Sequence, residues 1–183
     1  MIEIRVHGRG GQGGVIASKI LAYAFSIEGK SVQAFPEFGV ERRGAPVTAF
    51  IRVSDKHINV RSKIYEPMHL IVLEPTLVTA IDITEGLKEG GFIIINTKRT
   101  PEEVHLKKTG SKIATVDATG IALKYRLGSS AAPIVNTAIL GAFAKATGFV
   151  KIESIVTAIK KEVPIKPDEN AKAAEEAFNS TIM

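Results

Sequence analysis

The spacing of apolar and polar residues changes period several times along the chain. Ile2, Ile4 and Val6 alternate with Glu3 and Arg5, which predicts a strand over Ile2–His7. Ile16, Ile20, Ala24 and Ile27 recur near helical spacing, which predicts a helix over Val15–Ser26, stopped by Glu28-Gly29-Lys30. Ser31–Phe35 reads as a second strand. Val47–Val53 and His57–Val60 read as strands joined at Ser54-Asp55-Lys56, a hairpin that interrupts simple βαβ alternation. Short runs without alternation at Leu70–Leu73, Phe92–Ile95 and Ile113–Val116 suit strands covered on both faces. A short helix over Thr76–Ile83 ends near Gly86.

From Asp117 the pattern is mostly helical. Helices are expected over Ala118–Tyr125, Ile134–Ala146, Ile152–Lys161 and Asp168–Ser180, with Asp168 as the N-cap of the last. The expected fold is therefore α/β: a three-layer, Rossmann-like sheet, mostly parallel, with a β-hairpin insertion and C-terminal helices. One domain over residues 1–183 accounts for the length.

Composition narrows the chemistry. The chain has no cysteine, which removes disulfides and the usual thiolate ligands of zinc and iron–sulfur clusters. The net charge is +5, but the basic pairs are scattered and aromatic residues are only 6%, so no stacking stripe for nucleic acid is formed. A phosphorylated ligand or an acidic partner surface fits that charge better. The first residues lack the apolar core of a signal peptide, and no apolar run reaches membrane-spanning length. A cytoplasmic protein without membrane contact is expected. No residue reads as a nucleophile or as a metal ligand, and His7 reads as a core histidine.

Two stretches carry candidate chemistry. Gly8, Gly10 and Gly13 satisfy G-x-G-x-x-G between a strand and a helix, with Arg9, Gly11 and Gln12 inside the turn. Such a turn lets backbone approach a ligand and offers the free amides of a helix N-terminus to an anion. A dinucleotide site would also want a carboxylate at the end of the second strand, and Val32-Gln33-Ala34 has none. Anion contact and plain close packing both remain open. The second stretch, Phe35 to Pro46, holds Arg42 and Arg43, which suit a carboxylate or phosphate, or pair with Glu37 and Glu41.

Together these stretches resemble the gamma subunit of the pyruvate:ferredoxin oxidoreductases, the pyruvate synthases of 2-oxoacid metabolism in anaerobes. The matching residues are His7-Gly8-Arg9-Gly10-Gly11-Gln12-Gly13, Gln33-Ala34-Phe35-Pro36 and the specific string Phe38-Gly39-Val40-Glu41-Arg42-Arg43-Gly44-Ala45-Pro46-Val47. Tyr65-Glu66-Pro67, Glu74-Pro75-Thr76-Leu77, Asp117-Ala118-Thr119 and Asn136-Thr137 extend the match over the chain.

The resemblance implies a multi-subunit enzyme that turns a 2-oxoacid, coenzyme A and oxidised ferredoxin into acyl-CoA, carbon dioxide and reduced ferredoxin. It implies thiamine diphosphate and magnesium between alpha and beta subunits, and iron–sulfur (4Fe–4S) clusters in beta and delta. This chain would have no activity alone and would bind no cofactor tightly. From the anion-binding geometry of the turn, Gly8, Arg9, Gly10, Gly11, Gln12 and Gly13, helped by Arg42 and Arg43, are expected to meet a phosphate of coenzyme A or to close over the thiamine site. The alternative is a structural scaffold subunit of a branched-chain 2-oxoacid enzyme.

Overall fold

The computed structural model describes residues 1–37, 44–106 and 110–183. Its frame is a six-stranded sheet in the order β2-β3-β1-β4-β5-β6. The strands are β1 (Ile2–Arg9), β2 (Ser31–Pro36), β3 (Pro46–Ser54), β4 (His69–Val72), β5 (Phe92–Asn96) and β6 (Lys112–Val116). β1, β4, β5 and β6 pair in parallel, and β3 runs antiparallel to both neighbours, β1 and β2. β3 is thus the reversed strand in a mostly parallel sheet. A small second sheet pairs β7 (Gly128–Ser129) with β8 (Ala132–Pro133).

The helices are α1 (Gly14–Ile27), α2 (Leu77–Ala80), α3 (Ala118–Lys124), α4 (Ala138–Thr147), α5 (Ile152–Glu162) and α6 (Pro167–Ser180). Strand alternation sends Ile4, Val6, Ile51, Ile71, Leu73, Ile94 and Ala114 to one face, where they pack with Ile20, Leu21, Phe25, Ile139 and Phe143. The first helix and the C-terminal helices therefore share that face. The opposite layer is thin. Leu70, Val72, Ile93 and Ile95 pack there against Leu77 of the short α2 and against Ile83 and Leu87 from loops.

Polar side chains staple those loops down. Arg52, only 1% exposed, donates to Glu3 Oε1 at 2.8 Å and to the Ser62 carbonyl at 2.7 Å. Arg5 donates to the carbonyls of Ile83 and Glu85 at 2.8 and 2.7 Å. The charges that look out of place in a central strand thus satisfy loop carbonyls, which burial would otherwise leave unpaired.

Four expectations change. The helix expected over Thr76–Ile83 is only the four residues Leu77–Ala80, with Ile81 already extended. His57–Val60 is not a strand: β3 already has β2 on one edge and β1 on the other, so no edge is free to pair. The helix expected from Ile134 starts at Ala138, because Ala132–Pro133 is taken up by the small sheet. Asp168 is not the N-cap of α6. Lys166 takes that position and Pro167 opens the helix, while Asp168 sits in the first turn and pairs with Lys160 at 3.0 Å.

Candidate functional site

β1 lies at the point where the sheet's connections part. The chain leaves it through α1 toward β2, and β4, β5 and β6 follow on its other side. In open α/β sheets, the crevice at the carboxyl ends of strands at such a point is where ligands bind. The glycine turn sits there.

Gly8 and Arg9 belong to β1, paired with Val47 and Pro46, so the turn itself is shorter than the sequence implies. Gly8 lies against the Leu73 side chain. Gly10 is bonded on both sides to the far end of the second loop: its amide donates to Ala45 O at 2.9 Å and its carbonyl accepts from Gly44 N at 3.2 Å. Gly11 and Gly13 have φ of 96° and 77°, the left-handed region in which side chains are strained. Gly13 is the N-cap of α1, no side chain caps the helix, and its first turn holds no acidic residue. An anion there would meet helix amides and the positive end of the helix dipole without competition from a carboxylate in that first turn.

The turn is braced from β4. Gln12 Oε1 accepts from Arg9 N at 2.8 Å, and Gln12 Nε2 donates to Glu74 Oε2 at 2.7 Å. The other Glu74 oxygen accepts from Thr76 N at 3.2 Å and Thr76 Oγ1 at 2.9 Å. Burial opposes ionisation of Glu74, but the bonds from Gln12 and Thr76, with the charge of Arg9, outweigh it and hold the carboxyl below its ordinary value. The Arg9 guanidinium donates to Gly44 O and to Thr76 Oγ1, both at 3.0 Å, and its end stays exposed. Thr76 also lines a cavity of about 490 Å³ at the carboxyl ends of β4 and β5, walled by Thr79, Ile95, Thr97, Arg99 and His105.

The structure thus brings Gly8, Arg9, Gly10, Gly11, Gln12 and Gly13 together, but in different roles. Gln12 is spent on bracing, Gly8 on packing and the Gly10 backbone on the second loop, which leaves Arg9, Gly11 against open space and the uncapped start of α1 at Gly13. Arg42 and Arg43 lie outside the described residues, as does Phe38. Glu37 is paired with Lys63. His7 is a core residue, as expected: it is 5% exposed, its Nε2 accepts from Arg5 Nε at 3.0 Å, and burial with the Arg5 charge lowers its pKa to about 3. Among the described residues no group of three or more metal-ligating side chains converges, and no helix is long and apolar enough to cross a membrane.

Sequence reasoning gave no role to Glu74, Thr76 or Asn136. Asn136 Nδ2 donates to Gly13 O at 3.3 Å, and its Oδ1 is buried with no partner among the described residues. The signal for Glu74 was available: an acidic residue followed by Pro and Thr at the end of a buried strand, at the edge where α/β sheets build sites.

Residues 3–180 match the family model described as pyruvate ferredoxin/flavodoxin oxidoreductase. The chain is 60% identical to the pyruvate/ketoisovalerate oxidoreductases common subunit gamma of Thermococcus kodakarensis, an alignment covering 100% of this chain and 98% of that one. The structure is similar to that of pyruvate oxidoreductase subunit PORC from Thermotoga maritima, with a TM-score of 0.81, 40% identity, and coverage of 98% of this chain and 96% of that one. The same fold occurs within a 2-oxoglutarate:ferredoxin oxidoreductase from Magnetococcus marinus solved with 2-oxoglutarate, coenzyme A and succinyl-CoA, with a TM-score of 0.67, 18% identity, and coverage of 97% of this chain and 30% of that one.

Proposed function

Because the chain belongs to the pyruvate ferredoxin/flavodoxin oxidoreductase family, we propose that its glycine turn gives the assembled enzyme a contact for a phosphate of coenzyme A. The chain is the gamma subunit of a 2-oxoacid:ferredoxin oxidoreductase. The observation that carries the reading is the start of α1. It has no capping side chain and no acid in its first turn, it is reached through left-handed glycines, and it lies in the crevice beside Arg9. Coenzyme A is the reactant of this enzyme class whose charge such a site suits. Arg42 and Arg43 are further candidates for the same contact.

The chemistry of 2-oxoacid cleavage belongs elsewhere in the complex. Thiamine diphosphate and magnesium are assigned to the alpha and beta subunits, the 4Fe–4S clusters to beta and delta, and ferredoxin docks on the complex in the cytoplasm. The absence of cysteine from this chain supports that division, since thiolates are the usual cluster ligands. The likeness to a subunit common to pyruvate and ketoisovalerate enzymes favours choice of the 2-oxoacid by residues outside this chain.

Gly10→Ala in the assembled enzyme tests the reading. The expected result is a KM for coenzyme A raised several-fold, a smaller change in KM for the 2-oxoacid, and an intact complex. If both constants keep their parental values, the turn serves packing alone.

A further inference from the structure

A second concavity, of about 650 Å³, is bounded by α1, the small β7–β8 sheet, the approach to α4 and the connection from α5 to α6. We propose that it is a docking site for a segment of another subunit of the enzyme, one that carries apolar side chains beside aspartate or glutamate. The proposal goes beyond the coenzyme A reading and stands independently of it.

The concavity exposes apolar side chains. Ile16, Ile134 and Ile165 are 52%, 45% and 73% exposed, and all three line this one concavity. They come from three separate elements. Single exposed apolar residues are ordinary on a protein surface, but a converging group marks a contact site.

Charge says what covers it. The rim carries the exposed cations Lys19, Arg126 and Lys166 against one acid, Glu162. Lys19 and Arg126 have no carboxylate partner among the described residues, and Lys166 Nζ is turned to the Arg126 carbonyl at 2.7 Å. A partner that brings carboxylates to this rim gains attraction and correct register.

The backbone is held ready. Arg126 and Lys166 are the non-glycine residues with left-handed φ among those described, at 53° and 51°, and they are tied to each other by that Lys166 bond. Such strain persists where surrounding structure fixes it, and it clusters at sites of function. Asn136 also lines the concavity; it is 4% exposed, and its Oδ1 has no hydrogen-bond partner among the described residues. An inserted peptide supplies the missing donor through a backbone N–H, which a purely apolar occupant does not.

The test uses the assembled enzyme. Ile134→Asp with Ile165→Asp, and separately Lys19→Glu, are each combined with the other subunits, and association is measured by interferometry. Each is expected to weaken association of this chain at least tenfold while the melting temperature of the free chain is kept. Should the double variant fail to fold, Lys19→Glu still decides.

Because the chain has no cysteine, Ile165→Cys supplies its sole thiol for a benzophenone maleimide attached before assembly. Irradiation is expected to link it to one segment of another subunit containing apolar residues and Asp or Glu. Parental association by the charge variants, or cross-links only within this chain, overturns the proposal. Intact assembly with a raised KM for coenzyme A also overturns it, and marks the concavity as a small-molecule pocket.

Discussion

Gln12 Nε2 donates to Glu74 Oε2 over 2.7 Å, joining the turn after β1 to the end of β4 across the crevice. Gln12 also accepts the Arg9 amide, so one side chain fixes both the turn and the strand before it. Gln12→Ala removes both bonds. It is expected to lower the unfolding free energy by about 1 kcal/mol and to raise KM for coenzyme A with little change in kcat. Urea denaturation of the free chain and steady-state kinetics of the complex check the two parts.

The two left-handed glycines of the turn separate backbone strain from crowding. A Cβ on Gly11 meets open space, whereas a Cβ on Gly13 overlaps the Asn136 side chain. Gly11→Ala is expected to cost about 1–2 kcal/mol, the penalty of the left-handed region alone. Gly13→Ala is expected to cost more and to displace Asn136. Equal losses from the two, measured by thermal melting, would contradict the crowding at Gly13.

The Glu3–Arg52 pair gives a prediction far from the crevice. Arg52 is 1% exposed, and Glu3 is its charge partner. Glu3→Ala leaves a buried guanidinium held by carbonyl and amide oxygens alone, at an expected cost on the order of 3 kcal/mol. Chemical denaturation reads the loss. The matched double variant with Arg52→Met is expected to recover part of it, since removing both charges is less damaging than stranding one.

The buried histidines predict an acid dependence. Burial lowers the pKa of His7 to about 3, with help from Arg5, and burial lowers that of His69 to about 4. Unfolded histidine titrates near 6.5, so as pH falls below that value the unfolded chain takes up protons that the native one refuses. Stability is fully present above about pH 6.5 and declines below it, by up to about 1.4 kcal/mol per pH unit for each histidine once the unfolded imidazoles are largely protonated. The window from pH 6.5 to 5 isolates this effect, because the perturbed carboxylates titrate lower. Denaturation at pH 7 and pH 5 checks it, and His7→Gln with His69→Gln should flatten the slope.

The order of elements and the placement of the glycine turn were legible because each rests on local signals: a 2.0 period, a 3.6 period, and glycine between them. β3 was legible as a strand, but its partners were not. Pairing is set by which sheet edge is open, and that edge is formed by β1 and β2, which lie earlier in the chain. Glu3 and Arg5 were legible as the polar half of an alternating strand, but their partners were not. Arg5 donates to the carbonyls of Ile83 and Glu85 in the opposite layer, and Glu3 accepts from Arg52 of β3.

The site divided in the same way. Arg9 and the glycines announce themselves by type and spacing. Gln12, Glu74 and Asn136 acquire roles only when β4 and the approach to α4 are folded back onto the turn, from 62 and 123 residues away.

Hydrogen–deuterium exchange of the assembled enzyme with and without coenzyme A tests the central claim most directly. Within Gly10 to Ile16, the amides of Gly13 to Ile16 lie at the uncapped helix start, where they exchange readily and are covered by a bound phosphate. The account predicts slower exchange in peptides spanning this stretch when coenzyme A is added, with the effect lost in Gly10→Ala. Protection elsewhere in the complex with no change over Gly10 to Ile16 would contradict it.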